Sequence, residues 1–154
     1  ILCDIEFCKD IGCEGVVIGA LNKDLTINVL QTKKMAKAAK PMKVTFHRAF
    51  DLADDLENSL ENIISCKCDY ILTSGQKLSV DKGVENLKQL IKLANDRIKI
   101  LAGGGVNSMN IKNLYDIGIR EFHLSGVKKN KSNVNETDFN NIYNAVNKLR
   151  AIEN

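Results

Sequence analysis

The residues best suited to chemistry follow an apolar run in the first third of the chain. Residues 44–47 have the composition of a buried strand that ends in His47, and Arg48 and Asp51 lie at or beyond its end. In parallel α/β domains, ligands bind in the crevice outside the carboxyl ends of the strands. There, an imidazole can transfer a proton and a guanidinium can hold an anion. The alternative is a core histidine, a surface arginine and an Asp51 that only caps the next helix.

The second histidine of the chain, His123, lies in a comparable position. It belongs to residues 121–125, where apolar and polar side chains alternate, so that His123 and Ser125 share the face opposite the apolar residues. We expect His47 and His123 to face the same interior from different strands, where either imidazole could act as an acid or base or bind a metal. Two satisfied core histidines are the alternative.

Glycine-rich strand ends form a second group of candidate residues. Gly104 and Gly105 belong to the Ala-Gly-Gly-Gly-Val segment at residues 102–106, which precedes a helix predicted to be capped by Asn107 or Ser108. Exposed amides and a helix N-terminus favour an anion, and Ser125 would lie in the neighbouring loop. A glycine triplet can also serve only to allow close packing.

The polar strand end at Thr73 and Ser74 adds hydroxyl groups to this region. Ser74 lacks the flanking glycines of a nucleophile elbow, so we predict that it binds a ligand through hydrogen bonds. Neighbouring loop backbone could equally satisfy both hydroxyls.

The five cysteines are odd in number and lack the spacing of a disulfide scaffold or zinc finger. Cys66 and Cys68, one residue apart, could hold a soft ion such as Cu(I). Together with Cys13 they precede strands, which places them on the amino-end face, away from the histidines. The alternative is that all three are small buried apolar residues.

Composition narrows the class of protein. The chain has 154 residues and a net charge of +3, and its 22 basic residues are interleaved with 19 acidic ones, which argues against a nucleic-acid or anionic-membrane surface. No apolar stretch approaches the roughly 20 residues needed to cross a bilayer. We therefore expect a cytoplasmic domain with reduced cysteines, and a solvated loop from Lys128 to Thr137.

These candidate residues must be positioned by alternating strands and helices. Strands are predicted to begin near residues 16, 44, 70, 98 and 121, with helices over about 1–12, 28–40, 54–66, 84–95, 108–117 and 138–152. Intervals of roughly 25 residues predict parallel strands with right-handed connections. An open doubly wound sheet or part of a (β/α)₈ barrel would fit. A start in mid-helix and polar residues at several strand ends favour the barrel, of which this single domain would carry strands four to eight.

The strand ends resemble those of one family, the CutC copper homeostasis proteins. The matching segments are residues 15–21, 44–51, 71–76 and 103–106, with Asn110 and residues 121–123. The resemblance implies a cytoplasmic, usually oligomeric (β/α)₈ barrel whose first three βα units are missing from this chain. It also implies a pocket formed by His47, Arg48, Asp51, Thr73, Ser74, Gly104, Gly105 and His123.

Two functions follow from these observations. One is a copper-binding protein that uses thiols or histidines to bind copper, without catalysis. The other is an enzyme acting on a small anionic or phosphorylated metabolite, with His47 or His123 as acid or base and the glycine loops as the anion site. The family name favours the first function, and the convergence of polar strand ends favours the second.

Overall fold

The computed structural model describes residues 1–129 and 135–153, and it contains one parallel sheet of five strands. The strands of this sheet are β1 (Gly15–Ile18), β2 (Lys43–Phe46), β3 (Tyr70–Thr73), β4 (Lys99–Gly103) and β5 (Glu121–His123). The α-helices are α1 (Leu2–Asp10), α2 (Val29–Ala39), α3 (Leu56–Ser65), α4 (Val84–Ala94), α5 (Ile111–Asp116) and α6 (Phe139–Glu153). A 3₁₀ helix (Arg48–Leu52) follows β2 directly.

The order of the strands decides between the two predicted architectures. Neighbours in the sheet follow chain order, β1-β2-β3-β4-β5, and every pair is parallel. A doubly wound sheet would reverse its order at a switch point, whereas a barrel adds each strand on the same side. The prediction of an α/β fold that forms part of a barrel is therefore confirmed.

The two faces of the sheet differ in burial. Alternate residues such as Val44, Phe46 and Ile71 have no exposed surface, because they pack beneath the helices. On the other face Val17 is 61% exposed, and Thr45 and Leu72 are only partly buried. The open face thus corresponds to the inner side of the partial barrel, and the core lies between the sheet and its helices.

The predicted helix starts need two corrections. Asp55 is the N-cap of α3, where its side chain accepts a hydrogen bond from the Asn58 N–H at 2.7 Å, so the interpretation of Asp51 as that cap is wrong. The α5 helix begins after Asn110, not after Asn107 or Ser108. Within the described part of the chain, no helix is long and apolar enough to span a membrane.

The loop predicted over residues 128–137 is also corrected in part. Val127–Lys129 (β6) pairs antiparallel with Asn135–Thr137 (β7), and Lys128 forms an ion pair of 3.6 Å with Asp138. Polar composition alone does not distinguish a solvated loop from a solvated hairpin. Residues 130–134, which the same prediction covered, lie outside the described residues.

We predict that the 154-residue chain expressed alone self-associates through its open sheet face. In the described residues β1 and β5 each pair with one strand, and unpaired edges beside apolar surface promote association. Light scattering should therefore detect oligomers, and Val17→Lys on the open face should reduce them.

Leu30→Lys is the matched control, because Leu30 is 84% exposed on a helix and should not affect association. A compact monomer that unfolds cooperatively would contradict the prediction.

Candidate functional site

A buried carboxylate, that of Asp51, forms the centre of a cluster at the carboxyl ends of β2 and β3. Its side chain is 7% exposed and accepts hydrogen bonds from Arg48 Nε at 2.7 Å and from the Gln76 N–H at 3.0 Å. The Ser74 N–H and the Thr73 hydroxyl also donate to it. Because protein donors occupy both oxygens, this carboxylate holds the cluster together and is poorly available as a general base.

Local sequence brings these groups together in two steps. The 3₁₀ helix follows β2 directly and places Asp51 one turn after Arg48. The other donors come from the end of β3, where Gly75 has φ +76° and Gln76 has φ +55°. This left-handed turn directs the Ser74 and Gln76 N–H groups towards the carboxylate.

The guanidinium of Arg48 is fixed on two sides. Its Nε donates to Asp51, and its Nη2 donates to Ser74 Oγ at 2.8 Å. It also packs against Gly104, where a Cβ atom would lie 2.9 Å from Arg48 Cζ. The Nη1 group has no partner among the described residues, and the side chain is 43% exposed. Arg48 therefore keeps one charged N–H group without a protein partner, on a partly exposed side chain at the carboxyl end of the sheet.

The glycine loop after β4 is held by Asn110, which is 6% exposed. Its Nδ2 donates to the Gly105 carbonyl at 2.9 Å and to the Asp81 carboxylate at 3.0 Å, and its Oδ1 accepts from the Asn107 N–H. The Gly104 carbonyl accepts from the Val80 N–H at 2.9 Å. The carbonyl oxygens of Gly104 and Gly105 therefore both accept hydrogen bonds from the protein.

The corresponding N–H groups remain available. Across residues 1–129 and 135–153, no hydrogen bond uses the backbone N–H of Gly104 or Gly105 as its donor. Their φ angles, +102° and +93°, lie in the left-handed region, which glycine adopts without strain. The roles of Asn110 and Asp81 were not predicted, because their partners are distant in sequence.

The two histidines are not brought together. His47 accepts a hydrogen bond from the Ala49 N–H at Nδ1 (3.2 Å), which leaves the proton of a neutral ring on Nε2. Its ring lies over Gly19, where a Cβ atom would be 2.6 Å from His47 Cε1. His123 is exposed beside Gly103, at the end of β5. Three strand spacings separate β2 from β5, or about 14 Å.

A groove of about 440 Å³ runs along β1, beside His47. Cys8 and Met35 contribute to its walls, together with residues 15–19. Ser125, another predicted ligand-binding residue, is exposed two residues after β5. The predicted site residues are therefore spread along the carboxyl edge, and Arg48, Asp51, Thr73, Ser74 and Gly104 form its compact part.

The predicted thiol ligands lie elsewhere. Cys66 is 2% exposed and its Sγ donates to the Val29 carbonyl at 3.7 Å, while Cys68 is 5% exposed. Burial raises the pKa of the Cys66 thiol, and it raises the pKa of Cys68 to about 12. Cys13 lies near Cys8 at the end of α1. Among the described residues, no three His, Cys, Asp or Glu side chains are grouped to hold a metal ion.

The fold and this cluster define a partial (β/α) barrel with a polar carboxyl edge. The CutC family model matches residues 1–128. A CutC family protein of Pasteurella multocida is 46% identical over 124 residues, which cover 80% of this chain and 51% of the relative. One from Bacteroides fragilis is 45% identical over 130 residues, covering 84% and 52%. The chain belongs to the CutC family, as the sequence resemblance indicated, and it spans about half the length of these relatives.

Solved structures support the same fold. A candidate copper homeostasis protein, CutC from Streptococcus agalactiae, superposes with a TM-score of 0.74 at 24% identity, covering 79% of this chain and 60% of that one. A structure described as native KDPGal gives 0.69 at 15% identity, covering 100% and 67%. The YdjI aldolase of Escherichia coli K12 gives 0.61 at 17%, covering 79% and 48%. At these identities the likeness concerns the fold alone.

We predict that Asp51→Asn lowers the free energy of unfolding by roughly 2–4 kcal/mol, because an amide cannot accept from all the donors that face the buried carboxylate. Chemical denaturation followed by circular dichroism measures this loss. Asp54→Asn is the matched control, since Asp54 is exposed and should change stability by less than about 0.5 kcal/mol. Equal stability of the two variants would show that Asp51 does not hold the cluster together.

Proposed function

We propose that the carboxyl edge of the sheet binds a small anion, a carboxylate or a phosphate. The observation that carries this proposal is the fixed guanidinium of Arg48, whose Nη1 has no partner among the described residues and lies beside Gly104. Because Asp51 and Ser74 hold the side chain before any ligand arrives, little side-chain entropy is lost on binding. An arginine pre-organised in this way suits a charge-assisted hydrogen bond to an anion.

The glycine loop supplies the second half of this anion site. The N–H groups of Gly104 and Gly105 belong to the loop against which Arg48 packs. Backbone amides without protein acceptors stabilise anions, and they do so more strongly beside a positive charge. Position 104 favours glycine because its φ is +102°, and a Cβ atom there would also press against the guanidinium.

A reaction at this site would use His123 for proton transfer. His123 pairs with Gly103 in the sheet register, next to the glycine loop, whereas His47 turns towards Gly19 on the other side of Arg48. An imidazole in this position can accept or donate a proton in acid-base catalysis. The proposed enzyme would therefore act on a small anionic metabolite, with Arg48 as the anchor and His123 as acid or base.

We expect Arg48→Lys to weaken the binding of inorganic phosphate about tenfold or more, because lysine cannot reproduce the fixed planar fork. Gly104→Ala should weaken binding as well, through its clash and its φ of +102°. Isothermal titration calorimetry with phosphate, and separately with acetate, measures both effects and distinguishes the two anion classes.

Arg97→Lys is the matched control for these titrations, because Arg97 pairs with Glu61 on the surface, away from the site. Phosphate and acetate affinities that are the same in wild type, Arg48→Lys and Gly104→Ala would contradict the anion site.

Copper handling in the cytoplasm by a homo-oligomer is the second candidate function. The S. agalactiae relative is described as a candidate copper homeostasis protein. In this chain, the groove along β1 is lined by Cys8, Met35 and His47, and thiolate, thioether and imidazole are ligand types that accept Cu(I) as a bound cargo ion. An ion reaches this groove more easily than it reaches Cys66 and Cys68, which are 2% and 5% exposed, whereas Cys8 is only partly buried.

For copper, we predict that replacing Cys66 and Cys68 with serine leaves Cu(I) affinity unchanged, whereas Cys8→Ser or His47→Gln lowers it. An anaerobic titration against a competing Cu(I) chelator measures all four proteins. If only the variant without Cys66 and Cys68 loses Cu(I) affinity, the copper site lies between α2 and α3 and not in the groove. If wild type does not compete for Cu(I), the copper function would be rejected.

A further inference from the structure

Two thiols meet at the carboxyl end of α1. Cys8 lies in the last turn of the helix, and Cys13 follows Gly12, which has φ +81°. The Cys13 N–H donates to the Cys8 carbonyl at 2.9 Å, and the Gly12 N–H donates to the Lys9 carbonyl at 3.0 Å. This pair of hydrogen bonds is the Schellman motif, in which the side chains at the Cys8 and Cys13 positions commonly touch.

The backbone hydrogen bond limits the distance between the two residues. A Cα atom lies about 2.4 Å from its own carbonyl oxygen and about 1.5 Å from its own nitrogen. With the 2.9 Å bond between them, the Cα atoms of Cys8 and Cys13 are at most about 6.8 Å apart. Disulfides join Cα atoms that are roughly 4.4–6.8 Å apart, so the cap already holds the two residues within reach.

The side chains are also in each other's neighbourhood. Burial raises the pKa of the Cys8 thiol, and the adjacent Cys13 sulfur raises it further. Both residues are only partly buried, so that a small reagent can reach them. Cys66 and Cys68 differ in this respect, since both are buried in the core.

We propose that Cys8 and Cys13 form a reversible disulfide that closes the end of α1, with a low-molecular-weight disulfide such as oxidised glutathione as the oxidant. One cysteine thiolate attacks a sulfur of the oxidant and releases one glutathione thiolate. The second cysteine then attacks the mixed disulfide and releases the other. The two thiols of the protein lose two electrons and two protons, and the oxidant becomes two glutathione thiols.

This modification is independent of the proposed anion site. No hydrogen bond of Arg48, Asp51 or the glycine loop in the described structure involves either cysteine. Cys8 does line the groove along β1, and a disulfide would remove the Cys8 thiolate from that groove. Oxidation would therefore affect the groove and leave the carboxyl edge between β2 and β4 unchanged.

The test uses the purified protein with Cys3→Ser, which removes the exposed cysteine on the same helix. The protein is equilibrated with mixtures of reduced and oxidised glutathione, quenched with acid and digested for mass spectrometry. We expect a Cys8–Cys13 linkage that lacks two hydrogens relative to the dithiol and carries no glutathione. Further Cys8→Ser and Cys13→Ser variants should instead retain one glutathione on the remaining thiol.

A parallel equilibration in denaturant shows whether the native cap favours the bond. The linked fraction at a given glutathione ratio should be higher in the folded protein, because the cap holds the thiols together. Three results would overturn the proposal: stable glutathione adducts without linkage, bonds from Cys13 to Cys66 or Cys68, or an equal linked fraction in denaturant.

Discussion

The carboxyl edge of this sheet depends on one buried carboxylate. Removing Asp51 from water costs several kcal/mol, and only a nearly complete set of donors offsets that cost. The donors come from the 3₁₀ helix after β2 and from the turn after β3, so satisfying the carboxylate also fixes these two segments relative to each other. The same bonds orient Arg48. Stability and the proposed recognition of an anion therefore have a common origin.

Much of the fold could be predicted from sequence, because each strand is a short apolar run that ends in polar or glycine residues. The helix starts were less predictable. Two or more cap-forming residues precede both α3 and α5, and local sequence does not distinguish among them. Tertiary partners determine where each helix starts. Asp51 accepts hydrogen bonds from the end of β3, and Asp55 caps α3 instead. Asn110, which precedes α5, is held by hydrogen bonds to Gly105 and Asp81.

The sequence predicted which residues form the candidate site better than it predicted what each of them does there. Arg48, Asp51, Ser74 and Gly104 each stand at a strand end, and neighbouring parallel strands bring such ends together. The sequence could not show that the carboxylate oxygens of Asp51 would accept hydrogen bonds from donors 22 to 25 residues further along the chain. Nor could it show that His47 would turn towards Gly19. Both outcomes depend on packing between segments distant in the chain.

The two candidate functions use opposite kinds of chemistry in separate parts of the sheet. Arg48 and the glycine amides are hard, fixed donors that suit oxygen anions, and they lie between β2 and β4. The soft side chains of Cys8 and Met35 lie in the groove along β1. His47 stands between these regions, and its ring faces the groove because Gly19 leaves room for it. A side chain at position 19 would displace the imidazole, so the orientation of His47 towards the groove depends on a glycine at that position.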